Sequence, residues 1–296
     1  MKQIGVIGAG KWGSALYHAL KINNDVCITS RTPRDIEGFV SLDEALDCPY
    51  LVMSIPAQEV SSWLEKNFED RGQQILVAAK GIEASSGRFL NEIYAQYVDA
   101  SRLSFLSGPS FASEVMQSLP TALVINATNT ATAEAFSSFF PDFMRTYISS
   151  DVIGAEIAGA YKNVIAIAAG ITEGLGLGQN AAASLISRGL VEMHRFGTVY
   201  GAQDDTFLGL SGAGDLFLTA SSTMSRNYRV GLGLAKGKSQ EAILEELGEV
   251  AEGIGTSYAL FAIAQDKNIY LPIAAEVYHI LEGKDPQKSL ADLLSR

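Results

Sequence analysis

Short apolar runs broken by glycines and polar turns fill the first half of the chain, whereas long stretches rich in Ala, Leu, Ile and Gly fill the second. The run Ile4-Gly5-Val6-Ile7 is shorter than a secretory apolar region of about 7–15 residues and leads straight into glycines, so it reads as a strand. After it, Ala15, Leu16, Ala19 and Leu20 recur at helical spacing. Further apolar runs at 25–29, 50–54, 74–79, 103–106 and 121–125 predict strands, with helices near 42–46 and 60–66 between them. Alternation of this kind predicts an open, mostly parallel sheet. From about Asp151 the strand-like runs stop, and helices are expected over 155–170, 180–200, 214–223, 240–247, 257–266, 272–281 and 287–293.

Composition narrows the function classes. The chain has 296 residues, 47% hydrophobic and 19% charged, enough apolar surface for a sizeable core and too much for a disordered chain. A net charge of −11 has the wrong sign for holding polyanions through the overall field, so no nucleic-acid partner is expected, although a local basic pocket can still bind a small phosphate. Cys27 and Cys48 supply neither a disulfide framework nor a zinc site, and fit a reducing compartment. The uncharged stretch 115–133 carries Gln117, Pro120, Asn126, Asn129 and several threonines, unlike a membrane span of about 20 apolar residues. A cytoplasmic protein without membrane insertion is expected.

The turn after the first strand carries Gly8-x-Gly10-x-x-Gly13. In such a strand–turn–helix the first glycine permits the tight turn, the second lets a pyrophosphate approach the backbone, and the third lets helix and strand pack closely. The fold class this implies is α/β Rossmann, a doubly wound, mostly parallel sheet over 1–150, plus an all-α C-terminal domain over 151–296. An NAD-preferring site would carry an acidic residue at the end of the second strand. Here Ser30 and Arg31 stand there, with Arg34 close by, and a guanidinium matches the 2′-phosphate of NADP. NADP(H) is therefore the expected preferred cofactor, with NAD(H) as the second.

Several strings in order then become distinctive: Gly8-Ala9-Gly10-Lys11-Trp12-Gly13, Ser54-Ile55-Pro56, Lys80-Gly81-Ile82-Glu83, residues 106–112, Lys162-Asn163-Val164, residues 212–216 and Ser225-Arg226-Asn227. Together they resemble the bacterial NAD(P)-dependent sn-glycerol-3-phosphate dehydrogenases over nearly the whole chain. The resemblance implies a cleft between two domains where dihydroxyacetone phosphate and sn-glycerol 3-phosphate interconvert in support of phospholipid synthesis, and a homodimer. Two departures stand out. The segment 31–41 is shorter than in many family members, and 180–183 lacks a lysine that many relatives place there.

Oxidising a secondary alcohol needs a base, a nicotinamide and a cation for the phosphate. Lys162 lies mid-helix among Ala158, Gly159, Ala160, Ile165 and Ala166, with no carboxylate three or four residues away to make a surface ion pair. Desolvation or a neighbouring cation would lower its pKa, and the family counterpart is the acid/base. Lys80 follows the fourth strand, at the end where such sheets bind ligands; the resemblance gives it contact with substrate and cofactor, while the string alone reads as a turn. Asp215 and Thr219, four apart, share a helix face. Asp215 either orients Lys162 or complements a helix N-terminus, and Thr219 either lines the cleft or bonds its own backbone. The resemblance adds Asn163 to the catalytic set. It assigns Ser225, Arg226 and Asn227 to substrate phosphate, with Arg226 also at the cofactor, and Gly108 and Ser110 to substrate. Lys11, Trp12, Ala112, Val250 and Glu252 join the cofactor site on the same ground. His18, His194 and His279 make no ligand spacing, and no metal is expected. Two other readings compete: a related two-domain dehydrogenase acting on a 3-hydroxy acid or an imine, and a catalytically silent NADP sensor.

Overall fold

A computed structural model describes residues 3–248 and 250–294. Seven strands among these form one sheet: β1 (Ile4–Ile7), β2 (Val26–Thr29), β3 (Tyr50–Met53), β4 (Gln74–Val77), β5 (Leu103–Ser107), β6 (Thr121–Asn126) and β7 (Met144–Ser149). Their order is β2-β1-β3-β4-β5-β6-β7, parallel throughout except for the antiparallel β5–β6 pair. The central strands are buried on both faces, which is why they read as unbroken apolar runs. Between them lie α1 (Lys11–Leu20), α2 (Leu42–Leu46), α3 (Val60–Asn67), α4 (Leu90–Tyr94), α5 (Ala112–Val115) and α6 (Thr130–Ser137). Two apolar clusters cover the two faces of the sheet, one centred on α1 and α6, the other on α2, α3 and α4.

Strand order reverses at β1, between β2 and β3. In sheets of this kind ligands bind outside the carboxyl ends of the strands at such a reversal, and there the glycine turn, Arg31, Lys80 and Gly108 follow β1, β2, β4 and β5. The short segment 31–41 does not hang open: Ile28 N donates to Gly38 O and Val40 N to Ile28 O, both at 3.0 Å, pinning it along the outer edge of β2.

The sheet ends at Ser149, and Asp151 caps the next helix by accepting from Gly154 N at 3.0 Å. That helix, α7 (Val152–Gly174), is apolar all round and nearly all buried. By length and composition it is a candidate membrane span, but 89% of the qualifying window is buried inside the protein, as expected of a core helix. Packed about it are α8 (Gln179–Val199), α9 (Asp204–Leu208), α10 (Asp215–Ala220), α11 (Arg226–Ala235), α12 (Gln240–Leu247), α13 (Glu252–Asp266), α14 (Pro272–Leu281) and α15 (Pro286–Leu294). A Cβ on Gly170 would lie 2.0 Å from Tyr228 O, and one on Gly231 2.0 Å from Ile167 O, so α7 and α11 approach backbone to backbone.

Three local expectations are corrected. The apolar run ends in a seventh strand, β7, which lies at the sheet edge and exposes Arg145, Tyr147 and Ile148, so it lacks a buried-strand pattern. The helix expected over 214–223 is a π-turn (Leu210–Gly214) followed by α10, which stops at Ala220. The helix α11 lies outside the expected set, because its two glycines lower helix propensity; Gly231 is there for the close crossing with α7, and Gly233 leaves room for Ile243 of α12.

Candidate active site

The glycine turn has the geometry that a pyrophosphate cradle needs. Gly8 has φ +110, a region side chains rarely adopt, and Gly13 admits no Cβ, which would lie 1.8 Å from Gly8 O. At Gly10 a Cβ would meet nothing within 4 Å, so the backbone at the start of α1 is open to an approaching anion. Lys11 is exposed beside it, and Trp12 is anchored by its indole N–H, 3.0 Å from Ala78 O. Arg31 extends from the end of β2 into solvent, its guanidinium 3.5 Å from Glu59.

Four elements bring their polar groups to one point. Lys80 runs from the end of β4 to the Asp215 carboxylate, Nζ to Oδ2 at 2.7 Å, and donates also to Gly108 O at 3.0 Å. Lys162 donates to the other oxygen, Asp215 Oδ1, and to Thr219 Oγ1 at 3.1 Å. Thr219 in turn donates to Asp215 at 3.3 Å. Asp215 begins α10 directly after the π-turn, and its carboxylate contacts both lysines. Thr219 faces the cluster rather than its own backbone. Neighbouring Ser110 donates to Gly108 O at 3.2 Å.

Burial governs the electrostatics. Removal from water pushes the Lys162 ammonium down from 10.5 to about 8; Asp215 pulls the other way, and the like charge of Lys80 adds to the lowering. Burial alone would raise Asp215, but the Lys162 and Lys80 ammoniums hold its carboxyl below the usual range. The result is a nearly enclosed lysine that can change protonation close to neutral pH.

A second group lies beside the first. Asn227 Nδ2 donates to Asn163 Oδ1 at 2.9 Å, and Asn227 Oδ1 accepts from Gly253 N at 3.0 Å, which joins α7, α11 and α13. Ser225 caps α11, its hydroxyl accepting from Tyr228 N at 3.3 Å, and Arg226 follows as an exposed residue. Glu252 accepts from Ala57 N at 3.3 Å, so α13 is tied to the loop after β3. Burial raises the pKa of that carboxyl against this bond and the charge of Arg226. Ala112 opens α5, and Val250 is exposed just before α13.

Sequence reasoning missed three supports. Gly159 is one: an added Cβ would lie 3.3 Å from Lys80 Cγ, so its lack of a side chain makes room for the lysine stem, a need the small-residue run before Lys162 hints at. Gln58 bridges Ile82 O at 2.7 Å and Ala84 N at 2.8 Å, fixing the loop beyond Lys80. Buried Ser107 and Ser211, oxygen to oxygen at 2.6 Å, join the end of β5 to the π-turn that delivers Asp215. No motif announces that pair.

Comparison with known proteins bears on this geometry. Two family models match, described as NAD-dependent glycerol-3-phosphate dehydrogenase N-terminus, over residues 21–133, and C-terminus, over residues 151–292. A curated relative from Sulfurimonas denitrificans, named glycerol-3-phosphate dehydrogenase, NAD(P)+, is 68% identical over 295 residues and covers 100% of both chains. One from Campylobacter jejuni with the same name is 58% identical, covering 99% of each. A crystal structure of glycerol-3-phosphate dehydrogenase from Coxiella burnetii superposes with a TM-score of 0.91 at 31% identity, over 100% of this chain and 99% of that one.

Proposed function

The chain belongs to the NAD-dependent glycerol-3-phosphate dehydrogenase family, and from that premise we propose that it interconverts dihydroxyacetone phosphate and sn-glycerol 3-phosphate with NADP(H) in preference to NAD(H). The observation that carries the reading is the Lys162–Asp215–Lys80 cluster, which occurs together with a glycine turn that fits a dinucleotide. When bound, the nicotinamide supplies or takes the hydride. In the reductive direction Lys162 gives its proton to the alkoxide that develops on the substrate, and in the oxidative direction the neutral amine takes that proton back. Asp215 fixes the position of Lys162, Lys80 and Asp215 set its charge, and Thr219 is its second hydrogen-bond partner. Gly108 and Ser110 line the substrate side, with Asn163 and Asn227 at the base of the cleft.

Arg226, with Asn227 and Ser225, receives the substrate phosphate, because a guanidinium fork matches phosphate oxygens. Arg31 meets the 2′-phosphate of the nucleotide, and Glu59 is the partner it must share. Lys11, Trp12, Ala112, Val250 and Glu252 complete the cofactor side. On this reading residues 1–150 hold the dinucleotide, residues 151–296 hold the substrate, and the protein works in the cytoplasm as a homodimer supplying glycerol phosphate for phospholipid synthesis. The full-length likeness to glycerol-3-phosphate dehydrogenases favours this over a 3-hydroxy-acid or imine dehydrogenase and over a silent sensor. Incubation with sn-glycerol 3-phosphate and NADP+ tests it: reduced nicotinamide should accumulate, and none should form from glycerol. No reduction, with nucleotide binding demonstrated, would refute the proposal.

A further inference from the structure

Beside the stem of Lys80 lies a small cavity of about 10 Å³, walled by Lys80, Leu90, Phe105, Ser107, Ala155 and Glu156 among others. That is close to the least space that takes one water molecule. Glu156 stands on α7 and is only 8% exposed. Its Oε1 accepts from Asn91 N at 2.9 Å in the first turn of α4, while its Oε2 is buried with no partner among the protein atoms. A buried carboxyl oxygen left without a hydrogen bond is costly, so the cavity wall favours something polar and small. Ser107, on another wall, already pairs with Ser211 and accepts from Asn126 Nδ2 at 2.8 Å. One helical turn beyond Glu156, Gly159 receives the Lys80 stem.

We infer that this cavity is a site for one internal water bound by Glu156, and that Glu156 is a positioning residue for Lys80, closing the space beside its stem so that the ammonium stays on Asp215 and Gly108 O. The inference rests on reading Lys80 as part of the reacting cluster. Burial, reinforced by the neighbouring Glu92 carboxylate on α4, pushes Glu156 up to about 8 against the pull of the Asn91 and Leu90 N–H groups at the start of α4. At neutral pH its carboxyl is then the uncharged acid. It donates one hydrogen bond to the water and does not compete with Asp215 for the charge of Lys80.

Glu156→Gln keeps an acceptor and a donor in the same volume, whereas Glu156→Leu removes both. The amide variant should hold kcat within about two-fold. The leucine variant should lose kcat by about ten-fold or more through a misplaced Lys80, with KM for dihydroxyacetone phosphate little changed and thermal stability retained. Glu156→Met serves as a second apolar variant should leucine disturb folding. High-resolution diffraction should find one ordered water in the cavity of the wild type and of Glu156→Gln. A dry wild-type cavity would overturn the inference, as would undiminished kcat in the apolar variant or an equal loss in the amide variant. An inactive wild-type protein would instead overturn the proposed function, leaving the water site to be read by diffraction alone.

Discussion

Replacing Asp215 with Asn should move the pH dependence of catalysis downward. Lys162 titrates near pH 8 because burial outweighs the Asp215 carboxylate, which favours its charged form. Removing that carboxylate takes away the main support of the ammonium. An opposite charge at hydrogen-bond distance typically holds a group's pKa by about 1–3 units, so the midpoint should fall from about 8 to roughly 5–7. The sign follows from the direction of reaction. Reduction of dihydroxyacetone phosphate uses protonated Lys162, so kcat/KM is level below the midpoint and falls above it; oxidation uses the neutral amine and rises through the same midpoint. At pH 7.5 the variant should thus lose more of its reductive than of its oxidative rate. The amplitude will also drop, since Lys80 loses its carboxylate, so the midpoint is the quantity to read from steady-state rates across pH in both directions. Lys162→Ala provides the control, with turnover down by about 10²-fold or more and the profile near pH 8 abolished. An unchanged or raised midpoint in Asp215→Asn, or near-normal turnover in Lys162→Ala, would refute the assignment of the proton to Lys162.

Other substitutions probe separate parts of the site. Arg226→Ala should raise KM for the phosphorylated substrate by at least about ten-fold, the cost of a charge-assisted contact of about 1.5–3 kcal/mol, and unchanged kcat and KM would remove Arg226 from the site. Arg31→Ala should lower kcat/KM with NADPH while sparing NADH, so a fall common to both nucleotides would contradict its contact with the 2′-phosphate. In Gly13→Ala the new methyl would sit 1.8 Å from Gly8 O, so nucleotide binding followed by calorimetry should be lost or greatly weakened; wild-type affinity would contradict the described turn.

What was legible in the sequence, and what was not, follows from how each signal is made. Strands β1 to β6 are buried or half-buried runs of apolar residues, and the shift to helix near Asp151 coincides with the end of the sheet at Ser149. The strand β7 escaped because it is exposed at Arg145, Tyr147 and Ile148 and so carries no such run, unlike the covered edge strand β2, and α11 because Gly231 and Gly233 serve packing against α7 and Ile243 rather than helix formation. At the site, Lys162 stood out as a lysine in an apolar helix without a local partner. Its partner Asp215 lies 53 residues on, and nothing in the string distinguishes a clamp on two lysines from a helix-start carboxylate. Gly159, Gln58 and the Ser107–Ser211 pair act through contacts that only folding creates. The basic character of Arg31 was plain, whereas its ion pair with Glu59, brought from the far side of β1, was not.

The most direct test of the central claim follows oxidation of the reduced nicotinamide with dihydroxyacetone phosphate, using NADPH and NADH in parallel and unphosphorylated dihydroxyacetone as the control. Phosphate-dependent oxidation, faster with NADPH at equal low concentration, is the predicted result. No oxidation with either nucleotide, or equal rates with the unphosphorylated ketone, would contradict the account.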